Sequence, residues 1–204
     1  ADVFSYLPIE LEQDIIVALS DKEAGHILDN LNADDAADLI DEMPANVVKK
    51  LLANADPETR RDINHLLQYP DDSAGSIMTV EFMDLKEAYT VEQSLRKIRM
   101  EGIDKETINT CYILNPHRRL LGAISLRRLL LSDPVEKMSN IMEDHVISVS
   151  TRTDQEEVAQ LFQKYDFTSI PVVDSENRLV GIITVDDIVD ILQQEATEDI
   201  EKMA

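Results

Sequence analysis

The chain has 204 residues, of which 41 are Asp or Glu and 19 are Lys or Arg, a formal charge of −22, and 44% are hydrophobic. So acidic a chain is a poor partner for nucleic acid or an anionic membrane surface, both held through Lys and Arg, while its apolar share suffices for two or more small cores. A single cysteine, Cys111, excludes an intrachain disulfide and points to a reducing compartment. The N-terminus lacks the basic and apolar parts of a signal peptide, and the longest apolar runs, such as Leu179-Val180-Gly181-Ile182-Ile183-Thr184-Val185, have the length of strands rather than membrane spans.

The first stretch reads as short helices. Ser20, Asn32, Pro44 and Asp56 recur every twelve residues, each at a plausible helix start. Between them lie amphipathic segments such as Ala24-Gly25-His26-Ile27-Leu28 and Ala36-Ala37-Asp38-Leu39-Ile40. Helices so short are marginal alone and become stable by stacking on neighbours, so a superhelical bundle is expected over 1–69. Its acid is densest at Asp34-Asp35-Ala36-Ala37-Asp38, where Asp34 and Asp38 share a face.

A breaker-rich linker, Tyr69-Pro70-Asp71-Asp72-Ser73-Ala74-Gly75, follows and is placed at 70–76. A longer repeat then begins. Ile77-Met78 and Ile141-Met142 each open a unit, and the units close on related strings, Leu120-Leu121-Gly122-Ala123-Ile124-Ser125-Leu126-Arg127-Arg128 and Leu179-Val180-Gly181-Ile182-Ile183-Thr184-Val185-Asp186-Asp187. The first unit is longer, the difference falling near Gly102-Ile103-Asp104-Lys105-Glu106. Within the second, Val146-Ile147-Ser148-Val149 is expected as a strand and Asp154 opens a helix. Ile170-Pro171-Val172-Val173 begins another strand, Glu176-Asn177 turns, Leu179 to Thr184 is the last strand and Asp186 starts a closing helix.

The string Phe167-Thr168-Ser169-Ile170-Pro171-Val172-Val173-Asp174, with the second closing string, is similar to the cystathionine-β-synthase (CBS) domain, whose copies come in tandem pairs. An acidic helical repeat, a CBS pair and an ending that reads Gln194-Glu195-Ala196-Thr197-Glu198-Asp199-Ile200 together resemble the cytosolic part of the MgtE family of magnesium transporters and channels. The resemblance implies an α plus α/β multidomain chain, with a helical superhelix at 1–69, CBS domains at 77–137 and 138–190, and at 191–204 the start of a helix connecting to a membrane pore domain that these residues do not include. It also implies a homodimer at the cytoplasmic face of the cell membrane, this part of the protein itself being soluble.

In that family Mg²⁺ sits between the helical domain and the CBS pair and near the connecting helix, so that the domains close. Carried over, the metal-binding residues are Asp34, Asp35 and Asp38 on the helical domain, Asp154, Glu156 and Asp166 in the second CBS copy, and Asp187, Asp190, Glu195, Glu198 and Asp199 at the end. Mg²⁺ suits such surfaces, because it keeps much of its water and takes one or two carboxylates. A structural alternative stands beside it: Asp34 and Asp154 are well placed as helix N-terminal carboxylates, a role that needs no ion. The alternative function is sensing of an adenosine nucleotide such as ATP. In nucleotide-binding CBS pairs the hydroxyl and the Asp of the closing string hold phosphate and ribose, which Thr184 and Asp187 match, with Arg127 toward phosphate and Phe167 along the base. The first copy departs, since Arg128 stands where an Asp is expected.

An enzyme is not expected. The glycines are too dispersed for a phosphate loop, His26, His65, His117 and His145 lack zinc-ligand spacing, and Cys111 sits in a strand-like run as a small buried hydrophobe.

Overall fold

The computed structural model describes residues 4, 7–41, 43–189 and 191–192 and divides into two compact units, Ala1–Pro70 and Asp71–Ala204. The first unit holds helices α1 (Ile9–Ala18), α2 (Asp21–Leu28), α3 (Ala33–Asp41), α4 (Ala45–Asn54) and α5 (Pro57–Leu66). Each of the twelve-residue punctuation marks lies immediately before a helix. Ser20 closes a capping box with Glu23, Asn32 precedes α3 and accepts the Ala36 N–H on its carbonyl, and Pro44 and Asp56 occupy the N-cap positions of α4 and α5, the latter with Pro57 at the first helical position. Packing runs between alternate helices, α1 on α3, α2 on α4 and α3 on α5. That is the pattern of a superhelix, and it buries Leu28, Leu39, Ile40, Leu51, Ile63 and Leu66 together with Ala24, Ala36 and Ala37. Each buried Leu or Ile contributes about 1.5–3 kcal/mol, which helices of eight to ten residues cannot gain in isolation. The Asp29 carboxylate accepts the Asp56 N–H at 2.7 Å and ties the end of α2 to the start of α5.

The second unit repeats one α+β motif. In the first copy β1 (Phe82–Lys86) pairs in parallel with β2 (Thr107–Leu114), and β2 pairs antiparallel with β3 (Leu120–Ser125). Helix α6 (Val91–Glu101) crosses between β1 and β2, and α7 (Leu126–Leu131) follows β3. After α8 (Met138–Ile141) the same order recurs as β4 (Val149–Ser150), α9 (Gln155–Tyr165), β5 (Ser169–Val173) and β6 (Leu179–Thr184), with residues 185–189 and 191–192 helical. The extra length of the first copy lies where the sequence places it. A 3₁₀ turn, Gly102–Asp104, follows α6, whereas α9 ends at once on Asp166 in the left-handed region, φ 52°.

The strand expected at Val146–Val149 is shorter and later than the sequence reading has it, and the opening strings give the reason. The opening strings do not pair within their own copies. Thr79 pairs with Ile182 of β6, and Glu143 pairs with Ala123 of β3. With Glu143 drawn to the other sheet, only Val149 of the expected Val146–Val149 run reaches β5, opposite Val172, and Ser150 just beyond the run pairs with Val173. The crossings also explain Gly122 and Gly181. A Cβ would stand 2.6 Å from the Glu143 carbonyl oxygen at the first and 2.6 Å from Met78 Sδ at the second. The closing helix begins one residue early, with helical residues from 185 rather than from Asp186, because Thr184 is the cap. One core, built on Met83, Leu85, Ile98, Cys111, Ile113 and Leu129, fills the first copy. A second, with Phe82, Tyr112, Leu114, Leu179 and Ile182, joins the copies, and there the Tyr112 and Ser169 hydroxyls hydrogen-bond at 2.9 Å. Cys111 is fully buried, and burial pushes its thiol up to about 12, so it stays a neutral apolar side chain.

Candidate functional site

The closing strings place chemistry at the ends of β3 and β6. In the second copy the Thr184 N–H and hydroxyl both donate to the Asp187 carboxylate, at 3.1 and 2.6 Å. Thr184 is buried and Asp187 half-buried. In the first copy the polarity reverses, and the Ser125 hydroxyl accepts the Arg128 backbone N–H at 3.2 Å. Arg127 and Arg128 are both exposed on α7. The same corner is thus acidic in one copy and basic in the other.

Beside the second corner lies an aromatic pair. Tyr165 and Phe167 stack with centroids 5.3 Å apart and planes at 28°, the Lys164 ammonium sits 4.9 Å from the Tyr165 centroid, and the left-handed Asp166 between the two rings is exposed. Asp154 caps α9, its carboxylate accepting the Glu156 N–H at 2.9 Å. Its structural role is therefore filled, with the remaining oxygen lone pairs open to other donors or cations.

In the helical unit Asp34 and Asp35 lie in the first turn of α3, both half-buried, and Asp38 is exposed one turn on. They have a neighbour that the sequence reading missed. Glu12, on α1, is only 7% exposed. Its carboxyl is pushed up to about 7 by burial first, and then by the negative charges of Asp35 and Asp38. The available signal was spacing, for Glu12 falls four residues before Ile16, whose side chain is in the core. Asp190, Glu195, Glu198 and Asp199 lie outside the described residues. Among the described residues no three His, Cys, Asp or Glu side chains converge as a metal cage, and no helix is long and apolar enough to cross a membrane.

Residues 1–72 match the MgtE intracellular N domain and residues 138–194 the CBS domain. The chain is 44% identical over its whole length to the magnesium transporter MgtE of Thermus thermophilus and 37% identical to that of Bacillus subtilis, and it spans 46% and 45% of their lengths, about half of each. It also resembles the crystal structure of the cytosolic domain of the Mg²⁺ channel MgtE in complex with ATP, at 42% identity and a TM-score of 0.88, covering 93% of this chain and 78% of that one.

Proposed function

This chain belongs to the MgtE family of magnesium transporters, and from that membership we propose that it is the cytosolic Mg²⁺-sensing region of such a transporter, one that gates transport by closing its domains when Mg²⁺ binds between their acidic surfaces. The observation that carries the reading is the cluster of Asp34, Asp35 and Asp38 on α3 with the buried Glu12 of α1, whose carboxyl is raised by burial first and by the charges of Asp35 and Asp38 second. The charge part of that crowding is what a divalent cation relieves. The donors are all oxygens, as a hard cation requires, and a hydrated Mg²⁺ needs only one or two of them from each surface.

Two like charges 4 Å apart repel by about 4 kcal/mol at a surface-like dielectric, so a few facing carboxylates oppose closure by several kcal/mol. Converting a 1:99 equilibrium into 99:1 takes about 5.5 kcal/mol, within reach of a few weak ions that bind the closed form alone. On this reading Asp34, Asp35 and Asp38 act on the helical side. Asp154, Glu156, Asp166 and Asp187 act on the CBS side, and Asp190, Glu195, Glu198 and Asp199 act along the helix that runs on toward the pore at the membrane. Two chains associate as a homodimer through the CBS pair, where Leu131 at the end of α7 is 79% exposed and Val135 in the turn after it 76%, with Val185 and Val189 exposed at the corresponding helix of the second copy. Equilibrium dialysis tests the proposal. Wild type should retain Mg²⁺ against an equal ionic strength of NaCl and the double variant Asp187→Asn, Asp190→Asn should retain less, whereas no retention by wild type would sink it.

A second reading, adenosine-nucleotide sensing, is favoured by the resemblance to a structure solved with ATP and by Arg127 and Phe167 flanking the corners. Against it, Thr184 and Asp187 already satisfy each other, and Arg128 offers a ribose no acceptor. ATP binding measured by calorimetry without added Mg²⁺ decides between the two.

A further inference from the structure

The two copies bring their β-hairpin turns side by side at the end of the sheets away from the closing helices. Arg119 pairs with Arg178, the Leu120 N–H donates to the Asn177 carbonyl at 3.1 Å, and the Leu179 N–H donates to the Arg118 carbonyl at 3.1 Å. The turns are built alike. In one, the Asn115 side-chain oxygen accepts the N–H groups of His117 and Arg119, and in the other the Asp174 carboxylate accepts those of Glu176 and Arg178. Arg118 and Asn177 hold the same left-handed position, each at φ 62°.

Their charges are not alike. In the second turn Arg178 is neutralised within the turn, with Asp174 at 2.7 Å and Glu176 at 3.3 Å. In the first, Asn115 replaces the aspartate. His117, Arg118 and Arg119 are all exposed, and among the described residues Arg118 and Arg119 make no ion pair. Arg118 moreover occupies a backbone conformation that Gly or Asn adopts at far lower cost, as Asn177 does next to it. A cation kept at a disfavoured backbone position, with no internal counter-charge, in a chain of formal charge −22, points to a function at that side chain.

We propose that the rim formed by His117, Arg118 and Arg119 is a docking surface for the acidic helical unit of a second copy of this chain. Charge complementarity selects the occupant. A second copy brings exposed carboxylates on its own α1 to α3, among them Asp14, Asp21, Asp38 and Asp41, and a two-fold arrangement would make every such contact twice. An anionic lipid surface would meet the same arginines and is the competing occupant that the vesicle measurement below separates. The proposal does not depend on the apolar homodimer face, which lies on other elements.

Sedimentation velocity over a concentration series, at about 0.05 M and about 0.5 M NaCl, tests it. Three proteins are compared: wild type, the charge-reversed double variant Arg118→Glu, Arg119→Glu, and the neutral pair Arg118→Asn, Arg119→Gln, in which Asn suits the left-handed position. Wild-type self-association should weaken with salt. Both variants should associate about tenfold less tightly at low salt and match wild type at high salt, where screening removes the difference. Association that is independent of salt and unchanged in both variants would overturn the proposal while leaving the apolar dimer intact. Binding to vesicles containing phosphatidylserine that the variants lose, with self-association unaltered, would overturn it in favour of lipid.

Discussion

Glu12 of the helical unit and the capped carboxylates of the paired CBS unit carry their acid in opposite ways. In the CBS unit the half-buried carboxylates are met by donors, Asp187 by the N–H and hydroxyl of Thr184 and Asp174 by two backbone N–H groups and the Arg178 guanidinium, as is the exposed Asp154 by the Glu156 N–H. In the helical unit Glu12 is buried beside Asp35 and Asp38, and its proton affinity rises instead. Net charge alone therefore does not say what a carboxylate does to a fold. Where donors are supplied the acid is a structural part, and where they are not it leaves repulsion for a proton or an external cation to relieve.

The contrast is broken most strongly at Glu12. Because its value lies above the ordinary 4.5, its contribution to stability is complete below about 4.5 and is lost as pH rises through about 7. A shift of that size corresponds to about 3 kcal/mol. Glu12→Gln, which cannot ionise, should match wild type near pH 4.5 and exceed it by up to about 3 kcal/mol near pH 8, read from urea unfolding at the two pH values. Equal stability of the two proteins at high pH would place Glu12 in a better-solvated position than the contrast allows.

In the CBS unit the corresponding cut is Thr184→Val, which removes the hydroxyl that donates to the Asp187 carboxylate at the start of the closing helix. The expected loss is about 1–2 kcal/mol, seen as an earlier unfolding midpoint, while Ser125→Ala in the first copy should cost no more than about 1 kcal/mol because no carboxylate is abandoned there. A larger loss at Ser125 than at Thr184 would reverse the ranking of the two corners.

Asp174 gives the smallest effect and the opposite pH sign. Burial tends to raise its carboxyl, but the Arg178 N–H and guanidinium outweigh that and hold it below the ordinary range. Its stabilisation is therefore present above the ordinary carboxylate value and is lost as pH falls through the lowered one. Asp174→Asn keeps the two backbone bonds, as Asn115 does in the first turn, so at neutral pH it should cost less than about 1 kcal/mol for a pair this exposed. A chemical-denaturation difference well above that would mean the turn depends on the charge rather than on the geometry.

Much of this was legible in the chain itself, for local reasons. Ser20, Asn32, Pro44 and Asp56 mark helix starts because capping is decided within one turn, and the repeated closing strings locate β3, β6 and the helices after them. The insertion near Gly102 was equally plain from the unequal length of the copies. What escaped depends on tertiary packing. Nothing near Met78 or Met142 in sequence says that each opening string pairs with the other copy's sheet, although Gly122 and Gly181 are its trace. Glu12 looks like one more acid on an acidic surface until α1 packs on α3 and turns its face inward.

The central claim is that Mg²⁺, rather than ionic strength, relieves the crowded acid. Thermal unfolding of the whole chain followed in MgCl₂ and in NaCl at matched ionic strength tests it most directly. The account predicts a melting temperature that rises further in MgCl₂ than in NaCl and approaches the NaCl value in the double variant Asp187→Asn, Asp190→Asn. Identical melting of wild type in the two salts would contradict it.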